Sequence, residues 1–229
     1  MILFCLPYAG GSSSIYCKWK KYLNAYIQLE AIELRARGKR YKENFYKNLD
    51  DAIEDIFQSI KPKITQDEYT VFGYSMGSLL AYELYYKISS ENLRKPKHMF
   101  FAAYQAPSEM RRKKIYRLPD DKFKEEIIHL GGTPKEVANN KKLFNSAIPI
   151  LRRDFKMIED YNYKNREEKI QCDISILYGN NDDITQKEIL SWQFHSNKKF
   201  NIYDFDGDHF FLNDNVEDII KIINKSLAV

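Results

Sequence analysis

The stretch Tyr69-Thr70-Val71-Phe72-Gly73-Tyr74-Ser75-Met76-Gly77-Ser78 carries the most chemistry in the chain. A serine stands between glycines, two residues before it and two after, with a β-like run ahead and a helix-like run behind. A sharp strand-to-helix turn leaves no room for side chains at those two positions, so glycines fit there. Such a turn lifts the Ser75 hydroxyl above a sheet. It also sets the following N–H groups, first that of Met76, at a helix N-terminus where they can stabilise an oxyanion. A serine hydroxyl needs a base to become a good nucleophile. The chain has four histidines, His98, His129, His195 and His209. His98 opens a β-like run and His129 lies in a helix-like stretch, and structural or surface roles suit both. His195 follows Trp192 near a helix end, where a solvated or capping role suits it. His209 sits in Phe205-Asp206-Gly207-Asp208-His209-Phe210-Phe211, between the last β-like run and the last helix-like one. Elimination and chain order make His209 the expected base.

The base in turn needs an acid to orient it. Gly179-Asn180-Asn181-Asp182-Asp183 follows another β-like run. An acid there gives the order Ser75, Asp, His209, the order of an α/β-hydrolase. Loop position favours Asp182 over Asp183, although either could serve a turn or cap a helix. Asp206 and Asp208 flank His209, but closeness along the chain does not bring a carboxylate to the far ring nitrogen. A second oxyanion donor belongs on the loop after an early strand. Leu6-Pro7-Tyr8-Ala9-Gly10-Gly11 fits, its glycines allow close backbone approach, and the Ala9 N–H is the expected donor. As a phosphate loop the same stretch is poor, since neither Gly-Lys-Ser/Thr nor GxGxxG follows.

These loops need a scaffold. Apolar runs over 2–6, 27–34, 69–73, 98–103, 174–178 and 200–205 read as strands. Helix-like stretches cover 15–25, 49–60, 75–89, 186–195 and 215–226. Their alternation predicts an α/β fold with a mostly parallel sheet, one domain over 1–229. From about 107 to 163 the rhythm breaks. That segment offers no strand, only helix-like stretches at 120–129, 134–139 and 141–159 with Gly131-Gly132 among them. A helical lid inserted over the active site is expected. The 229 residues, 44% hydrophobic and 30% charged, suit one globular domain. A net charge of +4 from 36 basic and 32 acidic residues is too balanced to imply nucleic acid. No apolar run approaches the ~20 residues of a membrane span, and the apolar start is too short for an export signal. No membrane association and a cytoplasmic location are expected. Cys5, Cys17 and Cys172 form no CxxC pair, which argues against a disulfide scaffold or zinc ribbon.

With these residues in view, the chain resembles the type II thioesterases of nonribosomal peptide and polyketide assembly lines along nearly its whole length. Phe4-Cys5-Leu6-Pro7-Tyr8-Ala9-Gly10-Gly11-Ser12 with Trp19 is similar to the family's opening, and Gly73-Tyr74-Ser75-Met76-Gly77-Ser78 to its elbow. Leu118-Pro119-Asp120-Asp121, Gly131-Gly132-Thr133-Pro134 and Pro149-Ile150-Leu151-Arg152-Arg153-Asp154-Phe155 resemble its lid. Ser191-Trp192-Gln193 and Asp206-Gly207-Asp208-His209 resemble its C-terminal part. Three departures stand out. Arg35-Ala36 occupy a place that usually reads Pro-Gly, the loop after Asp182 is one residue short, and the leading strands of a full hydrolase sheet look absent.

The resemblance implies an editing hydrolase. It removes stalled or wrong acyl groups from the phosphopantetheine arm of an acyl or peptidyl carrier protein. Ser75 attacks, His209 moves the proton, Asp182 orients it, and the N–H groups of Ala9 and Met76 hold the oxyanion. No metal, organic cofactor or nucleic acid is expected, and the chain is expected to be a monomer. Ile127, Leu130, Phe144 and Ile148 are candidates for lining an acyl channel or for packing the lid. The basic run Arg111-Arg112-Lys113-Lys114 is a candidate dock for an acidic carrier, or an ordinary solvated face. Rival readings are a small-molecule esterase or lipase, a non-catalytic carrier-binding module, and a chain-releasing thioesterase.

Overall fold

Six short runs build the sheet, and along its central strands successive side chains enter two different cores. On β1 (Ile2–Leu6), Ile2, Phe4 and Leu6 face one core while Leu3 and Cys5 face another. β3 (Tyr69–Tyr74) and β4 (His98–Ala102) divide the same way, with Tyr69, Val71, Met99 and Phe101 on the first face. Phe72, Tyr74, Phe100 and Ala102 lie on the second. With β2 (Gln28–Ala31), β5 (Asp173–Gly179) and β6 (Phe200–Phe205), they form a six-stranded sheet in the order β2-β1-β3-β4-β5-β6. Every neighbouring pair is parallel. A parallel sheet must be covered on both faces, and that is why its strands read as continuous apolar runs. The computed structural model describes residues 1–109, 114–131 and 141–228.

The covering layers follow from the connections. Helices α1 (Leu49–Ile64) and α2 (Met76–Ser90) bury Ile53, Ile56, Phe57, Leu80 and Leu84 on the first face. The link from β1 to β2 runs over the second face, where Tyr16 and Trp19 pack with Ile219 and Ile223 of a C-terminal helix (Val216–Ser226). The chain thus leaves β1 in one direction and returns through β3 in the other. The carboxyl ends of β1 and β3 bracket the switch point where open α/β sheets bind ligands.

Several expected elements change length. The 15–25 stretch forms two 3₁₀ turns, Ser13–Tyr16 and Trp19–Lys21, instead of a helix. The Tyr16 hydroxyl donates to Leu6 O at 2.7 Å and pins this link to the end of β1. The 27–34 strand shortens to β2, as the chain turns away toward Ala36 at φ 62°. Helix 49–60 runs on through Pro62 to Ile64. The 186–195 helix is α5 (Gln186–Leu190) followed by a 3₁₀ segment, Ser191–His195. Thr185 and Glu188 cap α5 reciprocally.

Between β4 and β5 lie helices α3 (Asp120–His129) and α4 (Lys141–Glu159). Ile115, Phe123, Ile127 and Phe144 form a small core of their own, with Ile148 packed against it. The expected 134–139 helix lies outside the described residues. So do Arg111, Arg112 and Lys113 of the basic run. Lys114, which is described, pairs with Asp160 Oδ1 at 2.6 Å. Among the described residues no helix is long and apolar enough to cross a membrane.

Candidate active site

Ser75 sits on the turn from β3 to α2 with φ 52° and ψ −117°, a strained conformation for a residue with a side chain. The flanking glycines are required by space. A Cβ at Gly73 would lie 2.2 Å from Gly77 O, and one at Gly77 would lie 2.1 Å from Leu6 O. Both neighbours are backbone held by the sheet or the helix, so neither can retreat. The Ser75 N–H donates to Ala102 O at 2.8 Å, which ties the elbow to β4. Ser78 braces it further: its hydroxyl accepts the Ala102 N–H at 3.0 Å and lies 2.9 Å from both Gly73 O and Ala102 O. Met76 opens α2, so its N–H has no carbonyl four residues back within the helix.

The loop after β6 carries His209. Its Nε2 lies 2.9 Å from Ser75 Oγ and its Nδ1 lies 2.8 Å from Asp182 Oδ2. An ionised carboxylate only accepts hydrogen bonds, so Nδ1 carries the ring proton. Nε2 then presents its lone pair to the Ser75 hydroxyl. The Asp182 side chain is 4% exposed and that of His209 19%. The loops after β5 and β6 are fastened together. The Asn181 N–H donates to Gly207 O at 3.0 Å, and the Gly207 N–H to Asn180 Oδ1 at 3.3 Å. A Cβ at Gly179 would fall 2.3 Å from Asp208 O, so this approach also needs glycine.

Of the competing aspartates, Asp183 is exposed. Asp208 accepts the Phe210 N–H at 2.7 Å, a turn role. His98 and His195 are buried, and burial pushes each down to about 4. His98 Nε2 meets Ser175 Oγ at 2.8 Å. The expected solvated or capping His195 instead packs among aromatic rings, with Nδ1 3.1 Å from Tyr82 Oη. His129 is exposed in the last turn of α3.

Two features escaped the sequence reading. The buried Tyr74 hydroxyl donates to His209 O at 2.7 Å and accepts the Leu212 N–H at 3.2 Å. It stands next to Ser75 in the chain, yet its ring packs in the second core against Phe72 and Phe211. Arg37 and Asp154 form the other, a buried pair under the Gly10-Gly11 loop. Asp154 shares the Arg152-Arg153-Asp154-Phe155 run, where an acid beside two arginines reads as surface charge.

Above Ser75 opens a cavity of about 300 Å³. Tyr8, Ala9 and Gly10 form one wall, and Ser75, His209 and Phe210 the floor. Ile127, Leu130, Phe144, Ala147 and Leu151 supply the wall from α3 and α4. Ile148, expected there, packs among the helices instead. The apolar walls suit a hydrocarbon group, and the polar floor sits where its carbonyl would react.

A family model for the thioesterase domain matches residues 1–227. Gramicidin S biosynthesis protein GrsT of Aneurinibacillus migulanus is 33% identical over 229 residues, spanning 99% of this chain and 89% of its own length. The structure of ClbQ from the colibactin NRPS/PKS pathway superposes with a TM-score of 0.94 at 32% identity, over 99% of this chain and 96% of that one. BorB, the type II thioesterase of the borrelidin biosynthetic cluster, gives 0.89 at 29% identity, over 99% and 92%. On this likeness along its whole length, the chain belongs to the thioesterase domain family, in the company of the type II thioesterases of nonribosomal peptide and polyketide pathways.

Proposed function

We propose that this protein hydrolyses acyl thioesters on the phosphopantetheine arm of a carrier protein, freeing the carrier from stalled or aberrant acyl groups. The observation that carries the reading is the relay Ser75–His209–Asp182, at 2.9 and 2.8 Å, opening into an apolar cavity. Ser75 Oγ attacks the thioester carbonyl while His209 Nε2 takes its proton. Asp182 holds the ring and stabilises the imidazolium that forms. The N–H groups of Met76 and Ala9 receive the oxyanion, where donors fixed in advance lower the barrier most. The tetrahedral intermediate collapses, the carrier thiol leaves with the proton from His209, and an acyl-serine remains. Water activated by His209 then releases the free acid. The chain acts as one domain in which the helices between about 107 and 163 form the lid, and the acyl group lies against Ile127, Phe144 and Leu151.

The test compares three substrates: an acyl-carrier thioester, the matching pantetheine thioester and a p-nitrophenyl ester. Ser75→Ala is expected to stay folded and lose turnover on all three, and wild-type enzyme to favour the carrier thioester in kcat/KM. Folded Ser75→Ala with near-normal turnover would remove the nucleophile assignment. A preference for the p-nitrophenyl ester would point to a general esterase.

A further inference from the structure

The Arg37–Asp154 pair deepens that reading and rests on it. Arg37 Nη1 and Nη2 donate to the two Asp154 carboxylate oxygens at 2.6 and 2.7 Å. Arg37 is 5% exposed and Asp154 1%. An ion pair this dry is weak evidence for stability, since desolvation offsets most of the attraction. Its partners show what it can do instead. The Gly10 N–H donates to Asp154 Oδ2 at 2.7 Å, and Arg37 Nη1 also donates to Gly11 O at 3.2 Å. Asp154 lies on α4, so one carboxylate reaches from the lid helix into the loop beside Ser75.

That loop is a tight turn. The Gly11 N–H donates to Tyr8 O at 2.9 Å, and Gly10, third of the four residues, has φ 79°. This is the type II arrangement, which wants glycine at that place. A type I turn differs by a flip of the central peptide, the one holding the Gly10 N–H. With that peptide flipped, the Ala9 carbonyl would face the Asp154 carboxylate, an oxygen against an oxygen. Asp154 therefore selects one form of the turn. The Ala9 N–H shares a rigid peptide plane with Tyr8 C=O, the acceptor that closes the turn. A type I turn keeps that plane, so Asp154 acts on the Ala9 N–H by anchoring the whole turn beside Ser75 rather than by rotating the donor.

We propose that Asp154 is a positioning residue, through which lid helix α4 locks the turn that aims the Ala9 N–H at the thioester oxyanion. Hydrolytic competence is then tied to the docking of α4.

A matched pair of double variants isolates the hydrogen bond from the ion pair. Arg37→Met with Asp154→Leu removes both the charges and the acceptor for Gly10. Arg37→Met with Asp154→Asn removes the charges and keeps a carbonyl acceptor. Each is measured with acetyl- and octanoyl-pantetheine, beside Ser75→Ala and with melting temperatures. The Leu variant is expected to lose kcat about ten- to a hundredfold, less than deleting an oxyanion donor outright. KM should change little. The loss should be equal on both substrates, because the oxyanion is common to them and the acyl cavity is not. The Asn variant should recover most of the kcat. Wild-type kcat in the Leu variant, equal losses in both variants, or a loss confined to octanoyl KM would each overturn the positioning role. Independently of any variant, the Gly10 amide of the wild-type protein should be strongly protected from hydrogen exchange. Exchange at the rate of an open loop would also overturn it. Active Ser75→Ala would instead sink the hydrolase reading, so the two failures are distinguishable.

Discussion

Asp182 and Asp183 are neighbours of the same chemical type with opposite surroundings. Asp182 is nearly buried and lies 2.8 Å from His209 Nδ1, whereas Asp183 is exposed. A triad acid fixes the tautomer of its histidine, so its amide analogue loses about 10⁴ in kcat. Asp182→Asn is expected to fall by that order on an acyl-pantetheine substrate, and Asp183→Asn by far less. Reversed effects would assign the orienting role to Asp183. Tyr74 offers a second comparison. Tyr74→Phe strips the partner from the half-buried His209 O and from the buried Leu212 N–H, both in the loop that carries His209. Buried groups left unpaired cost about 1–3 kcal/mol. The variant should melt lower and lose kcat with KM nearly unchanged. An unaltered kcat at a lowered melting temperature would make Tyr74 a structural brace only.

At the scale of elements, the elbow and the proposed lid are built on opposite principles. The elbow is rigid because β1, β3 and α2 meet with no spare volume. Gly77→Ala would push a methyl carbon to 2.1 Å from Leu6 O, on a central strand paired on both sides. Overpacking usually costs about 1–3 kcal/mol, and backbone against backbone leaves little relaxation. The variant is expected to be strongly destabilised or insoluble, and a wild-type melting temperature would contradict the packing argument. The lid rests on less. Among the described residues, helix α3 contributes to a small core of Ile115, Phe123, Ile127 and Phe144 with a few half-buried neighbours. The far end of α4 is better held, by Asp154 and by Glu159, whose carboxylate accepts the N–H groups of Ile115 and Tyr116 at 2.9 and 3.1 Å. Hydrogen exchange should be faster in 120–131 than in β1, β3 and β4, with 151–159 in between. Protection over 120–131 equal to that of the sheet would contradict this weaker hold.

For the whole molecule, acid should be destabilising well above the range where carboxylates titrate. His98 and His195 are buried neutral, pushed down to about 4 by burial from an ordinary value near 6.5. His98 feels Asp173 and Lys199 in opposite directions, and Lys169 lowers His195 a little further. Between those two pH values the unfolded chain binds protons that the fold refuses. Stability is therefore full above about pH 6.5 and declines as pH falls toward 4, by up to roughly 1.4 kcal/mol per unit for each histidine. Melting temperatures from pH 7 to 4.5 should fall along this slope, and His195→Gln should flatten it if the variant still folds well at pH 7. A wild-type profile flat across that window would show the two rings accepting protons inside the fold.

What the amino-acid sequence determined by itself is local. Glycines around Ser75 announce a turn with no room for Cβ, and alternating apolar residues announce strands buried on both faces. Both are consequences of backbone sterics within a few residues. The order Ser75, Asp182, His209 was legible because each follows a strand-like run, and in a parallel sheet those loops share one edge. The short 3₁₀ link over 15–25 was not legible, since its apolar spacing is helical and only the packing of Tyr16 and Trp19 against the sheet breaks it. Nor were Tyr74, Arg37 and Asp154. Each works through a partner far away in the chain: Asp154 lies 144 residues from Gly10, and Tyr74 lies 135 from His209. Charge and hydroxyl carry no periodicity that marks them as internal. Whether Asp154 is solvated or locked under the Gly10-Gly11 turn is decided by where α4 docks, and that is a property of the tertiary structure alone.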